Sequence, residues 1–140
     1  MSIVRSAELW QVAYFLSKCG ERRIGRRRPK PPIQLQVASW EEAYSLFFPH
    51  LHGGRALSVF CHSLKNARDM FDGHHDSGRI GWRQCEPQRS PQQLNLDAQR
   101  IMDEWKDESS DSLWQAVRQY ADDRVRGLPA EEIERLAARH

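Results

Sequence analysis

Apolar residues recur at helical spacing along most of this chain. Leu9, Val12, Ala13 and Leu16 make a stripe at intervals of three and four, widened by Trp10 and Phe15. Ser6 stands before it as a hydroxyl cap, Glu8 places negative charge in the first turn, and Gly20 is a stop, so a helix is predicted over Glu8–Lys18. Ser39-Trp40-Glu41-Glu42 has the form of a capping box and predicts a helix over Trp40–Phe48, ended by Pro49. His50 to Gly54 reads as a turn. Leu57, Phe60, Leu64, Ala67 and Phe71 give the clearest helix, Arg55–Phe71, whose opposite side carries Arg55, Ser58, His62, Lys65, Asn66 and Asp69. Two more are expected: Asp97–Lys106, capped by Asp97 with Ile101, Met102 and Trp105 inward, and Asp111–Arg126, capped by Asp111 with Leu113, Trp114, Val117, Tyr120 and Val125 inward. Pro129 and the glutamates after it open a last short helix beyond Gly127.

Only two stretches suggest extended structure. Ile33-Gln34-Leu35-Gln36-Val37 alternates with period two, as a short strand or an extended segment anchored by its apolar side chains does, and Arg79-Ile80-Gly81-Trp82-Arg83 is a brief strand or a loop tip. The expected fold is therefore mainly α, a single small domain of about five or six helices, with at most a minor two-stranded β element. Residues 20–32, closed by Pro29, Pro31 and Pro32, form a basic arm or loop, because proline favours extended backbone. Residues 73–95, rich in Gly, Asp, Ser, Pro and Gln, form a long loop, a length often tied to function.

Composition agrees with a folded but polar chain. At 140 residues it suits one domain, and its mean hydropathy is −0.75. Five Trp, five Phe and three Tyr supply large apolar surface for a core. Cys19, Cys61 and Cys85 are odd in number and form no Cys-x-x-Cys, which suggests free thiols in a reducing cytosol. No apolar stretch approaches the roughly 20 residues of a membrane span, and no signal-peptide pattern opens the chain, so a cytoplasmic location is expected.

Charge changes the picture more. Residues 1–90 carry 14 Lys and Arg against 8 Asp and Glu, a net +6, while residues 91–140 carry 7 against 11, a net −4. Six basic side chains, Arg22, Arg23, Arg26, Arg27, Arg28 and Lys30, fall within nine positions that hold no acidic residue. Mutual repulsion keeps such a run solvated until a polyanion arrives, and arginine forks match phosphate oxygens. Lys65, Arg68, Arg79 and Arg83 are candidates to extend the track, and Trp82 offers a face on which an unpaired base stacks. The expected partner is DNA or RNA, bound without catalysis. The ordinary alternatives are a solvated loop for residues 22–30 and a core anchor for Trp82. Charge halves of opposite sign also suit an accessory subunit that docks on a protein partner or on a second copy.

Three weaker patterns carry chemistry. Arg55-x6-His62 resembles the Arg-x4–6-His motif of HEPN-type ribonucleases. That resemblance implies Arg55 stabilising charge and His62 moving a proton at a phosphodiester, commonly in a site built by two subunits. Ala56 stands where such motifs commonly carry a polar residue. The ordinary reading is a plain surface pair, or His62 paired with Asp69. His50, His52, Cys61, His62, His74, His75, Asp76 and Cys85 are potential metal donors, but their spacing matches no zinc pattern, and no metal or cofactor is expected. Asp72-Gly73-His74-His75-Asp76 resembles the paired histidines of HNH nucleases without the later Asn and His. Leu128–Ala137 is similar to the first helix of a helix-turn-helix unit, with no room for a second; a packing helix is expected there.

Overall fold

The structure, a computed structural model, describes residues 6–21, 29–72, 74 and 94–122. The domain is mainly helical: among the described residues there are six α-helices and no strand. They are α1 (Ala7–Cys19), α2 (Trp40–Ser45), α3 (Phe48–Leu51), α4 (Leu57–Asp72), α5 (Leu96–Trp105) and α6 (Ser110–Val117). Short 3-10 turns cover Ile33–Leu35 and Arg118–Tyr120.

The periodic residues of α1 become the centre of the fold. Ser6 Oγ accepts from Leu9 N–H, as its position before the stripe predicts. The helix is then buried on nearly every side: Leu9, Trp10, Val12, Ala13, Tyr14, Phe15, Leu16 and Ser17 are all inaccessible. A helix apolar all round must be enclosed, and α4, α5 and α6 each pack against it. The expected single stripe understated this role. Phe71 of α4 meets Trp10 and Tyr14 edge-to-face, at ring distances of 5.8 and 5.2 Å. Phe15 lies 5.6 Å from Trp114 of α6. Such pairs add about 1 kcal/mol each beyond the area they bury.

Polar contacts fix the outer helices. Lys18 Nζ donates to the carbonyls of Trp105, Lys106 and Glu108, so a cation from α1 closes the C-terminal end of α5, where the helix dipole is negative. Gln34 Nε2 donates to Ser110 Oγ at 2.8 Å and ties the first 3-10 turn to α6. The amide of Asp122 donates to the carbonyl of Leu46 at 2.7 Å, which brings the end of the described chain back onto the α2–α3 junction.

Several sequence expectations shift by local chemistry. Ile33–Val37 is not a strand. The amides of Leu35 and Gln36 turn back onto Pro32 and Ile33, Gln36 has φ +56°, and Ile33 is exposed while Gln34 is buried. Among the described residues no strand lies beside these five to take their hydrogen bonds; Arg79–Trp82, the expected partner, lies outside the described residues. Pro49 opens α3 instead of only ending a helix, because its missing N–H costs nothing in a first turn. The caps of α5 and α6 are Asn95 and Ser109, two residues before the expected Asp97 and Asp111, which sit in the first turns. α6 gives way to a 3-10 turn after Val117; residues 123–140, including Val125 and the last predicted helix, lie outside the described residues.

Two tests follow from this packing. Lys18→Met keeps most of the stem but removes the cap on α5, and is expected to cost about 1–2 kcal/mol in urea unfolding, with most of the loss in α5 amide protection. A second concerns Tyr14, whose phenol is pushed up from 10.0 to about 12 by burial, with the charges of Cys19 and Asp107 adding. The folded state then holds this proton more tightly than the unfolded chain. Its stabilisation is complete below pH 10 and is lost as pH rises to about 12. The denaturation midpoint should fall across that window, and fall less steeply in Tyr14→Phe.

Candidate nucleic-acid interface

The described chain stops at Glu21, just past α1, and resumes at Pro29. Arg22, Arg23, Arg26, Arg27 and Arg28 lie between these points, outside the described residues, as do Arg79, Trp82 and Arg83. What the structure places is the base of the run. Glu21 N–H donates to the carbonyl of Lys30 at 2.8 Å, so the two ends meet across one backbone hydrogen bond. Lys30 itself is exposed. Next to it the indole N–H of Trp40 donates to the carbonyl of Pro29 at 2.9 Å. Proline leaves that carbonyl its only polar backbone group, and the indole satisfies it.

Trp40 sits at the start of α2 because Ser39 Oγ accepts from Glu42 N–H and fixes the first turn. The guanidinium of Arg68, on α4, lies 4.2 Å from the centre of its ring, within cation–π range. Arg68 is 9% exposed and surrounded by acid. Its Nη2 is 2.7 Å from Asp69 Oδ1, and its Nε is 3.5 Å from Asp72 Oδ2. Asp72 is fully buried and also accepts a 2.6 Å hydrogen bond from Ser17 Oγ of α1. Burial works most strongly against the guanidinium charge, but Asp72, Tyr44 and Asp69 outweigh it and hold the group above its ordinary pKa.

Arg68 is therefore a core ion, in contrast to its expected place on a phosphate track. The same periodicity that located α4 carried the signal: Leu64, Ala67, Arg68 and Phe71 stand at i, i+3, i+4 and i+7, which puts Arg68 on the buried face. Lys65 remains on the surface, its side chain 51% exposed, but it is paired with Asp69 at 3.0 Å.

The Arg55 and His62 pair is placed differently from the expected shared helix face. α4 begins at Leu57, so Arg55 precedes it, in a turn where Gly53 and Gly54 have φ +58° and +81°. Glycine takes this left-handed backbone without strain. Gly54 N–H donates to His52 Nδ1 and Arg55 N–H to the carbonyl of His52. Arg55 then lines an open cleft of about 400 Å³ with Glu8, His50 and Tyr120, over Leu9 and Leu51. Burial, and then the carboxylate of Glu8, raises the Tyr120 phenol. With Glu8 and Arg55 both on its walls, the cleft presents no one-sided field to a phosphate. His62 is exposed on α4 and is not part of that lining, and Asp69, its expected partner, is engaged by Lys65 and Arg68.

Among the described residues no three His, Cys, Asp or Glu side chains group closely enough to hold a metal ion. His75, Asp76 and Cys85 lie outside them. Cys61 is half-buried, 3.9 Å from Ser45 Oγ, and burial pushes its thiol up, away from the thiolate that a nucleophile or metal ligand needs. No helix among the described residues is long and apolar enough to cross a membrane. Comparison with protein families, curated proteins and solved structures finds no match for the chain.

The two candidate phosphate contacts on α4 make opposite predictions. Arg68→Ala strands the buried Asp72 with Ser17 and should destabilise the fold by about 3–5 kcal/mol, close to the whole stability of a small domain. Lys65→Ala removes half of an exposed pair and should cost less than about 1 kcal/mol. Equal, small losses in chemical denaturation would return Arg68 to the surface.

Proposed function

We propose that this protein is a non-enzymatic nucleic-acid-binding or accessory protein that uses the Arg22–Lys30 run as its contact. The observation that supports it most is the closed base of that run. Six basic residues of the sequence lie between or at two points joined by one hydrogen bond, Glu21 N–H to the Lys30 carbonyl. The sequence thus concentrates six of its cations between two points that the structure holds together. On α4 the charge is offset: Arg68 is neutralised in the core and Lys65 is paired. A concentrated cationic run attracts a polyphosphate backbone by releasing its condensed counterions, which gives affinity without sequence preference.

The reading is tested by binding of the purified, nuclease-treated protein to labelled single- and double-stranded DNA and RNA across a salt series. A variant with Arg26, Arg27 and Arg28 changed to Ala is measured in parallel. Wild-type affinity should fall steeply with salt. For duplex DNA the variant should bind more weakly, with a log–log salt slope shallower by about 2–3, since each neutralised phosphate contributes about 0.9. Salt-independent binding, or identical binding by the two proteins, overturns the proposal. Absence of binding to all four probes, with a mass in light scattering that rises with concentration, replaces it with a protein-docking role for the same run.

A further inference from the structure

The basic run does not simply leave the domain between α1 and the 3-10 turn. Its returning end is clamped by a relay that begins in the buried core. Asp72, fully inaccessible, holds Ser17 of α1 and Arg68 of α4. Arg68 lies 4.2 Å from the ring centre of Trp40, and the Trp40 indole N–H holds the Pro29 carbonyl at 2.9 Å. One residue further, the Lys30 carbonyl holds Glu21 N–H at 2.8 Å. Each contact joins a different part of the chain, and together they run from the core to both ends of the run.

We infer that Trp40, with the Arg68 guanidinium over its ring, is a positioning residue for the base of the Arg22–Lys30 run. Its function is to fix where the cationic run meets the domain, and it touches no ligand itself. The part of this that concerns binding rests on the proposed function; the part that concerns the base does not. Three features support a positioning role over simple packing. Trp40 is only half-buried and packs at the edge of the core, unlike Trp10 and Trp114, which are fully enclosed. Its one polar atom is aimed at the segment that closes the run. Its cationic partner is itself over-determined by two carboxylates, which fixes the plane of the ring more firmly than apolar neighbours do.

The test separates the ring from its N–H. Trp40→Phe keeps a smaller aromatic face for Arg68 and removes the donor to Pro29, and the α4 amides report any loss of packing that comes with the smaller ring. Amide hydrogen exchange is read at Glu21, whose N–H reports the closed base, and at Phe60 and Leu64 within α4. In wild type the Glu21 amide should be protected. In Trp40→Phe it should exchange about three- to tenfold faster, the worth of one hydrogen bond, while the α4 amides change little. Affinity for the nucleic-acid probe that binds wild type best should fall several-fold, with the salt slope unchanged because the same cations remain. An unchanged Glu21 amide overturns the inference, as does equal acceleration at Glu21 and in α4, which marks a packing residue. Faster exchange at Glu21 with unaltered affinity in a binding-competent protein also overturns it, since position would then not matter. If wild type binds no probe, the proposed function fails, and the Glu21 response alone decides whether Trp40 holds the base.

Discussion

The enclosure of α1 is the constraint on which the other elements depend. A thirteen-residue helix with apolar side chains on almost every side has no stable surface position, so it must be surrounded. α4, α5 and α6 supply the enclosure, and their own apolar stripes need cover only one side each. The aromatic residues make this possible in a short chain: Trp10, Tyr14, Phe15, Phe71 and Trp114 each remove a large area from water and interlock at angles that rings favour.

Beside that enclosure three charged groups, Arg68, Asp69 and Asp72, are buried together, and their arrangement shows why they are tolerated. Asp72 at the end of α4 would be ruinous alone in an apolar interior. Arg68 one turn earlier and Ser17 on α1 answer it, and Asp69 balances Arg68 again. An arrangement of this kind adds modest net stability, because the desolvation of each ion offsets most of the attraction. What it adds is register. α1 and α4 fit together only where Ser17 faces Asp72, and α2 joins them only where Trp40 faces Arg68. Ionic and aromatic geometry here select among packings that apolar contacts alone would treat as nearly equal.

Much of this was legible in the sequence. Ser6 and Ser39 act as the caps that their positions announce, and the apolar stripe of α4 is the one that spacing reveals. The departures have physical causes. Asn95 and Ser109 outcompeted the nearby aspartates as caps, because any short acceptor in the right backbone position serves. The Ile33–Val37 alternation yielded to a 3-10 turn, since a strand is defined by a neighbour that no local pattern records. By residue type Arg68 suits the surface, although its spacing places it inward; charge is a poor guide to exposure when acids lie one and four residues away. For the candidate interface, the sequence located the cations but not their anchoring. The Trp40–Pro29 and Glu21–Lys30 contacts join positions with no shared periodicity, so only three-dimensional closure brings them together.

That closure has a consequence for how the chain tolerates change. Glu21 and Lys30 already stand as neighbours, so the chain leaves and re-enters the described residues at one point. A connection of two residues would span the same gap as the present eight, and the entropy of closing a loop grows only slowly with its length. The basic run is in this sense a cassette joined to the scaffold at Glu21 and at Pro29, whose carbonyl Trp40 holds. The packing of α1 against α4, α5 and α6 is made between the helices themselves, so a new binding preference at this point leaves those helix–helix contacts in place.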